Sequence, residues 1–391
     1  MIRTYKVKLK PNNKQKDALL RQLGAARFAY NWALTETKKF YKINKKLISQ
    51  KDLRKKFTEF KHFKKNIWLN QISVDVTKQS IIDLYTAYSN FFHKHCNLPK
   101  YKKKRDNHQS FYIDVYKIRF SENSVFIPTL LSKSKKHSKK NWVKLSEKNR
   151  IPILAGHSYF NPRIVFDGID FWITVGIDKA FNNSSIEYND GIGIDLGLKT
   201  FAVTSDQHFY ANFNKSKSIL TIERRIRKMQ RSISKKYMLN NDKGKYKKTE
   251  SIKKLEIKVK QANRKLCEIK KSYLYSIILD IINRNPKFIV LEDLNIKGMI
   301  KNKHLSHSIQ SASFYKFREI LKYKAEEKGI QLIFVDKFYP SSKICSHCGE
   351  KKDKLHLSER TFICEHCGSH IDRDLNASIN LKKYGDNIIS K

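Results

Sequence analysis

Four of the six cysteines fall in two CxxC pairs, Cys345/Cys348 and Cys364/Cys367, with fifteen residues between the pairs. No other feature constrains the chain so tightly. Thiolates at this spacing close around a tetrahedral ion, and Zn²⁺ suits an all-sulfur set. Gly349 and Gly368, one after each pair, permit the tight turns of two knuckles. Residues 341–370 are therefore expected to form a zinc ribbon inserted in a larger domain. Sulfur fills all four positions, so this ion has no open site for chemistry and serves structure or nucleic-acid binding. His347 and His366 lie inside the pairs and read as bystanders, and the isolated Cys96 and Cys267 as structural.

The chain opens "MIRTYKVKLKPNNKQ", with no apolar core of a signal peptide, and no stretch approaches a transmembrane span. A cytoplasmic protein with no membrane partner is expected, where paired cysteines hold metal more often than they form disulfides. Lys and Arg number 81 against 36 Asp and Glu, a net charge of +45. Such a surplus repels itself unless a polyanion is near, and nucleic acid is the obvious one. A merely basic, ribosome-associated protein is the plainer alternative on charge alone. With 391 residues, 40% of them hydrophobic, the chain can build two or three cores, and wholesale disorder is excluded.

"YKVKLK" alternates like a strand. The next segment has helical spacing, with Leu19, Leu20, Leu23, Phe28, Trp32 and Leu34 as its apolar stripe. Residues 11–105 read as helical, ending in the basic "LPKYKKKRD". From Ser110 the period shortens, and "SFYIDVYKIRF" and "RIVFDGIDFWITVGID" are strand-like. Between them Ser132–Trp142 carries five lysines and no acid, either a solvated loop or a phosphate grip. Residues 214–271 hold 21 Lys and Arg against 5 Asp and Glu, with apolar residues at helical spacing on both sides of "NNDKGKYK". This predicts a helical hairpin whose apolar stripes are core and whose basic faces meet nucleic acid.

Three acids fall where catalysis would place them. Asp195 closes the strand of "GIGIDLG", Glu292 follows the buried strand Phe288 to Leu291, and Asp374 in "DRDLN" lies near a helix start. Such carboxylates can converge at one edge of a parallel sheet, where hard oxygen ligands suit Mg²⁺ or Mn²⁺. Each also has a plain reading: a turn residue, a loop acid and a helix N-cap respectively. Asp336 and Asp178 end strands equally well, so spacing alone does not choose among them.

The stretch "FYPSSKICSHCGEKKDKLHLSERTFICEHCGSHIDRDLNASINL" resembles the C-terminal signature of TnpB proteins, the OrfB family of bacterial insertion sequences related to type V CRISPR effectors. "KLKPNNKQKDALLRQLGAARFAYNWAL", "LPKYKKKRDNHQSFY", "GIGIDLGLKTFAV", "IVLEDLNIKGM" and "SASFYKFREILKYKAEEKG" resemble its other blocks, in the same order. The resemblance implies an α/β, RNase H-like (RuvC) nuclease domain over 188–391 with the inserted ribbon. It further implies a β-rich wedge domain from 1–10 and 106–187, and an α-helical recognition domain over 11–105. It selects Asp195, Glu292 and Asp374 as catalytic metal ligands, Asp195 bridging two ions and the other acids each holding one. Asp336 and Asp178 fall outside the motifs, Asp293 and Asp372 stay unassigned, and Ser378 stands where alanine is common. The implied partners are a guide RNA from the element's own end and double-stranded target DNA with a short adjacent motif. The protein is expected to act as a monomer. The implied activity is RNA-guided DNA cleavage, against which stand an RNA-guided repressor and a guide-free nuclease.

Overall fold

The computed structural model describes residues 2–106, 108–131, 138–154, 158–178, 187–242, 244–302, 306–336, 339–356 and 359–390. The chain divides into two units, Met1–Ala180 and Phe181–Lys391.

The first unit runs β1 (Ile2–Lys10), α1 (Asn13–Asn44), α2 (Gln50–His62), a 3-10 segment (Lys64–Gln71) and α3 (Val74–Phe92). Strands β2 (Gln109–Tyr112), β3 (Arg119–Phe120), β4 (Ser124–Phe126), β5 (Trp142–Leu145), β6 (Tyr159–Phe166) and β7 (Phe171–Asp178) follow. They form one antiparallel sheet in the order β2-β6-β7-β1-β5-β4-β3. The first strand of the chain is thus interior, pairing from Ile2↔Asp178 to Lys8↔Trp172 along β7. Helix α1 begins with a capping box, Asn12 and Gln15 each accepting from the other's backbone N–H. Its first turns (Ala18, Leu19, Leu23, Ala26) join the core of the sheet, whereas Ala25, Ala29, Ala33 and Leu34 pack with Leu53, Phe57, Ile81 and Leu84 of α2 and α3. One correction to the predicted stripe concerns Leu20, which is 47% exposed. Leu19, Leu23 and Leu34 of that stripe are buried, and the alanines share the buried face with them. Of the lysine-rich loop, 132–137 lie outside the described residues, and Lys139 and Lys140 are exposed.

The second unit runs β8 (Ile192–Leu196), β9 (Thr200–Thr204), β10 (Phe209–Ala211), α4 (Lys217–Leu239), β11 (Asn241–Asp242), β12 (Lys245–Tyr246) and α5 (Glu250–Asn283). It continues through β13 (Phe288–Glu292), α6 (Ile296–Ile300), α7 (Ser306–Ala312), α8 (Phe314–Glu327), β14 (Gln331–Val335), β15 (Thr361–Ile363), β16 (His370–Asp372) and α9 (Arg373–Ile389). The main sheet has the order β10-β9-β8-β13-β14, with β8, β13 and β14 parallel and β9 antiparallel to both neighbours. The predicted helical hairpin is present as α4 and α5, and α5 runs on to Asn283.

Strand periodicity divides the two faces of this sheet. Ile192, Ile194, Ile289 and Leu291 pack with Ile277, Ile278 and Ile281 of α5 and Phe317 and Leu321 of α8. Phe288, Val290, Ile333 and Val335 form the other face with Leu381 of α9. Gly193 lets α9 lie directly on β8, since a Cβ there would come 2.0 Å from the Ser378 carbonyl and 2.5 Å from the Lys382 nitrogen. At Gly385 the approach is reciprocal, a Cβ meeting the Phe288 ring at 2.4 Å. Among the described residues no helix is long and apolar enough to cross a membrane.

Candidate active site

The same two-residue period decides where the acids point. Gly193 faces α9, so Asp195, two residues on, faces it too. Val290 contacts the α9 side, so Glu292 does as well. The parallel register pairs Leu291 with Ile194, which sets Glu292 beside Asp195 on the adjacent strand. Asp374 lies in the first turn of α9. Its plain reading as the N-cap is excluded, because Asp372 caps the helix, its carboxylate accepting from the Asp374 and Leu375 N–H groups at 2.9 and 3.1 Å. Asp374 is left free to face the sheet, with its Oδ2 within 4.0 Å of where a Gly197 Cβ would stand.

The three acids feel one another. Burial, then the carboxylates of Glu292 and Asp374, push Asp195 up from 3.8 to about 8, against the pull of Arg373 and the Leu196 N–H. Arg373 is the cation at hand. Its Nε is 3.6 Å from Asp374 Oδ1, and its Nη1 donates to the Glu359 carbonyl at 3.2 Å. Burial is the larger cause of that rise and the two neighbouring carboxylates the smaller, and a hard divalent cation with oxygen ligands would offset both. The three acids therefore fit such an ion. The unassigned and decoy acids sit elsewhere or are engaged. Asp293 pairs with Arg318 at 2.5 Å. Asp336 follows Val335, the partner of Glu292, at the same sheet edge, but is exposed. Asp178 ends β7 in the first unit.

The four thiols form the second cluster. Their sulfur atoms lie within 4.8 Å of one another, with Cys345–Cys367 and Cys348–Cys364 at 3.6 Å. Tetrahedral zinc–sulfur bonds of about 2.3 Å place sulfurs about 3.8 Å apart, so the set fits that ion as it stands. Gly349 (φ 83°) and Gly368 (φ 70°) make the predicted knuckles, their N–H groups donating to Cys345 and Cys364 carbonyls at 2.9 Å. Around the thiols the core is small: Cys345, Phe362 and Cys364, with Leu355 and Ile371 against them.

Residues that sequence reasoning passed over join the two clusters. Asn376 and Asn380, one turn apart on α9 and almost fully buried, both donate to the Ile344 carbonyl, at 2.7 and 2.6 Å. Asn376 also accepts from the Ser346 N–H at 2.8 Å, and Asn380 donates to the Ser341 carbonyl at 2.8 Å. Ser341, itself buried, donates its hydroxyl to Glu292 Oε1. The signal was present in "NASIN": two asparagines four apart on a buried helix face need partners off the helix. Ser378 between them satisfies its hydroxyl on the Leu375 carbonyl at 2.8 Å, so serine fits where alanine would.

Three family models match the chain: a helix-turn-helix domain of the OrfB_IS605 type over 1–46, a probable transposase (OrfB_IS605) over 183–303, and a Cas12f1-like TNB domain over 314–381. Residues 1–46 here are a strand and one long helix. A Streptomyces pristinaespiralis protein provisionally named an RNA-guided DNA endonuclease is 25% identical, the match covering 98% of this chain and 89% of that one. The Escherichia coli K12 protein InsQ, provisionally named likewise, is 23% identical over 100% and 94%. In fold the chain is similar to a solved chain from a Cas12f1–sgRNA–target DNA complex, with a TM-score of 0.59 at 14% identity and 98% of each chain covered. These findings bear out the resemblance read from the motifs.

Proposed function

We propose that this chain, a TnpB protein of the OrfB family, is a transposon-encoded RNA-guided DNA endonuclease that hydrolyses phosphodiester bonds at Asp195, Glu292 and Asp374. One observation carries the assignment of the site: acids from three distant segments share one face and one edge of the β8–β13 sheet, close enough to displace the titration of Asp195. The sheet with α9 across it is read as the RuvC-like nuclease domain, 188–391, with the ribbon at 341–370. The β-rich sheet, 1–10 and 106–187, is the wedge, and 11–105 the recognition domain. The partners are a guide RNA and double-stranded DNA, the latter read by pairing with the guide after a short adjacent motif is found.

Asp195, Glu292 and Asp374 would hold Mg²⁺ or Mn²⁺, which supply the activation of a water and the stabilisation of the leaving oxygen. The chain's own groups prepare that site. Ser341 holds one oxygen of Glu292 and leaves the other to turn inward. Asp372 and Arg373 hold the α9 start so that Asp374 faces Asp195. Burial, helped by the two neighbouring carboxylates, favours the protonated form of Asp195, and that proton must leave before the group can serve as a ligand, so the site is favoured by alkaline conditions. Cys345, Cys348, Cys364 and Cys367 would hold Zn²⁺, restraining the segment that leads into Asp374.

The test is cleavage of guide-matched plasmid by protein purified with RNA from its own element. Cleavage in Mg²⁺ that fails with Asp195→Asn but keeps RNA bound supports the reading. Guide-matched binding without cutting would assign a repressor, and cutting without guide a general nuclease.

A further inference from the structure

We propose that the groove between α1, the end of α2 and the 3-10 segment of the first unit is a seat for unpaired nucleobases of a single-stranded nucleic acid. The groove measures about 870 Å³ and is lined by Phe28, Trp32, Phe60 and Trp68 together with Arg21, Arg27 and Lys39, the last paired with Glu36, the one acid of the lining, at 2.9 Å. Its rings are interlocked: Phe28 and Trp68 lie 5.5 Å apart at 70°, Trp32 and Phe60 5.2 Å apart at 38°. Buried Phe57 and Leu69 back them, and Asn66 ties the 3-10 segment to the Phe60 carbonyl at 2.8 Å. The aromatic wall is thus pre-organised, yet Trp68 is 41% exposed. A chain with a net charge of +45 has cations enough to cover such a surface and leaves it open.

Gly24 points the same way independently. It lies in the interior of α1 and lines the groove, where glycine costs about 1 kcal/mol relative to alanine. A Cβ there would meet only the far end of Arg27, at 3.9 Å. Neither packing nor backbone geometry asks for glycine, so the missing side chain keeps room in the groove for something else.

Flat faces with cations around them select the occupant. A base presents a π-face for stacking and its phosphate a negative charge, and Lys64 and Lys65 head the segment that carries Trp68. Bases within a duplex hide those faces, so the occupant is unpaired. The inference rests on the nucleic-acid-binding part of the proposed function and not on cleavage.

The experiment measures affinity of the full chain for a 12-nucleotide single-stranded RNA and for a duplex of that length, at several salt concentrations. Trp68→Ala with Phe60→Ala lowers single-strand affinity by about tenfold to a hundredfold, the scale of one stacked base, while duplex affinity and salt slope stay put. Single-stranded RNA quenches tryptophan fluorescence, and Trp68→Ala reduces that quenching to the part owed to Trp32. Gly24→Leu keeps or raises the melting temperature and still weakens single-strand binding. Equal losses on strand and duplex, or no loss on either, overturn the proposal. So does loss of self-association in sedimentation with single-strand affinity intact, which makes the groove a protein contact. A chain that fails to cut guide-matched DNA but keeps this strand selectivity would sink the proposed function alone.

Discussion

The second unit holds two clusters of metal-type ligands built on opposite plans. The thiol cluster comes from two short turns, each with its own glycine, so sequence spacing places the sulfurs in pairs, and a β-hairpin with a small core brings the pairs together. The acid cluster comes from two strands and a helix separated by 97 and 82 residues in sequence, and nothing local places it. One is assembled by chain geometry and the other by sheet register. They meet through Asn376, Asn380 and Ser341, which hold the first knuckle to α9 and to Glu292. The first knuckle is thereby joined to the acids whose register it cannot itself set, and as a brace for them it is open to test.

Removing the acid at the centre is the sharpest break. Asp195→Asn lowers cleavage by at least about 10²–10³-fold, with RNA and zinc content unchanged. Zinc lost along with activity would mean that the two clusters are one cooperative object. Cys364→Ser comes next: zinc content falls, and the ribbon loses a large part of the binding energy that folds it, several kcal/mol. Cleavage falls with it because α9 loses its restraint, and unchanged zinc, folding and cleavage together would refute the brace.

Ser341→Ala leaves Glu292 without its donor, expected to cost about 1–3 kcal/mol. Ser341 is a positioning residue, so the decisive readout is the Mg²⁺ concentration for half-maximal cleavage, which rises about tenfold and returns with Ser341→Thr. A fall in maximal rate at unchanged Mg²⁺ requirement, with no rescue by threonine, would remove it from the site.

The smallest effect is a matter of pH. Asp195 titrates near 3.8 when unfolded and near 8 when folded, so between those values the folded state holds the extra proton. Without added Mg²⁺, stability is fully present below pH 4 and falls as pH rises through 8. Asp195→Asn removes this slope and raises the melting temperature at pH 8. The same melts in Mg²⁺ should show less of it, and parallel pH profiles for both proteins would mean that neither burial nor the neighbouring acids hold a proton on Asp195.

Much of this was legible in the chain. The strand–turn–strand of "GIGIDLGLKTFAV", the helical hairpin and the knuckles follow from local period and turn chemistry, and the structure has them. Leu20 shows the limit of period, because α1 serves two cores on different faces and its alanines, weak in any hydrophobic count, share the contacts with Leu19, Leu23 and Leu34. Asp336 shows another. It ends a strand as well as Asp195 does, and only side-chain direction and exposure separate them.

What the sequence alone determined was therefore set within a few residues: the thiol spacing and the positive-φ glycines. Composition set the charge. The tertiary structure decided which acids share a face. That choice rests on the pairing of Leu291 with Ile194, and a slip of one residue would turn Glu292 to the opposite side of the sheet. Register is a contact between segments distant in sequence, held here by Gly193 beneath α9 and the packing on both sheet faces, and no local propensity encodes it.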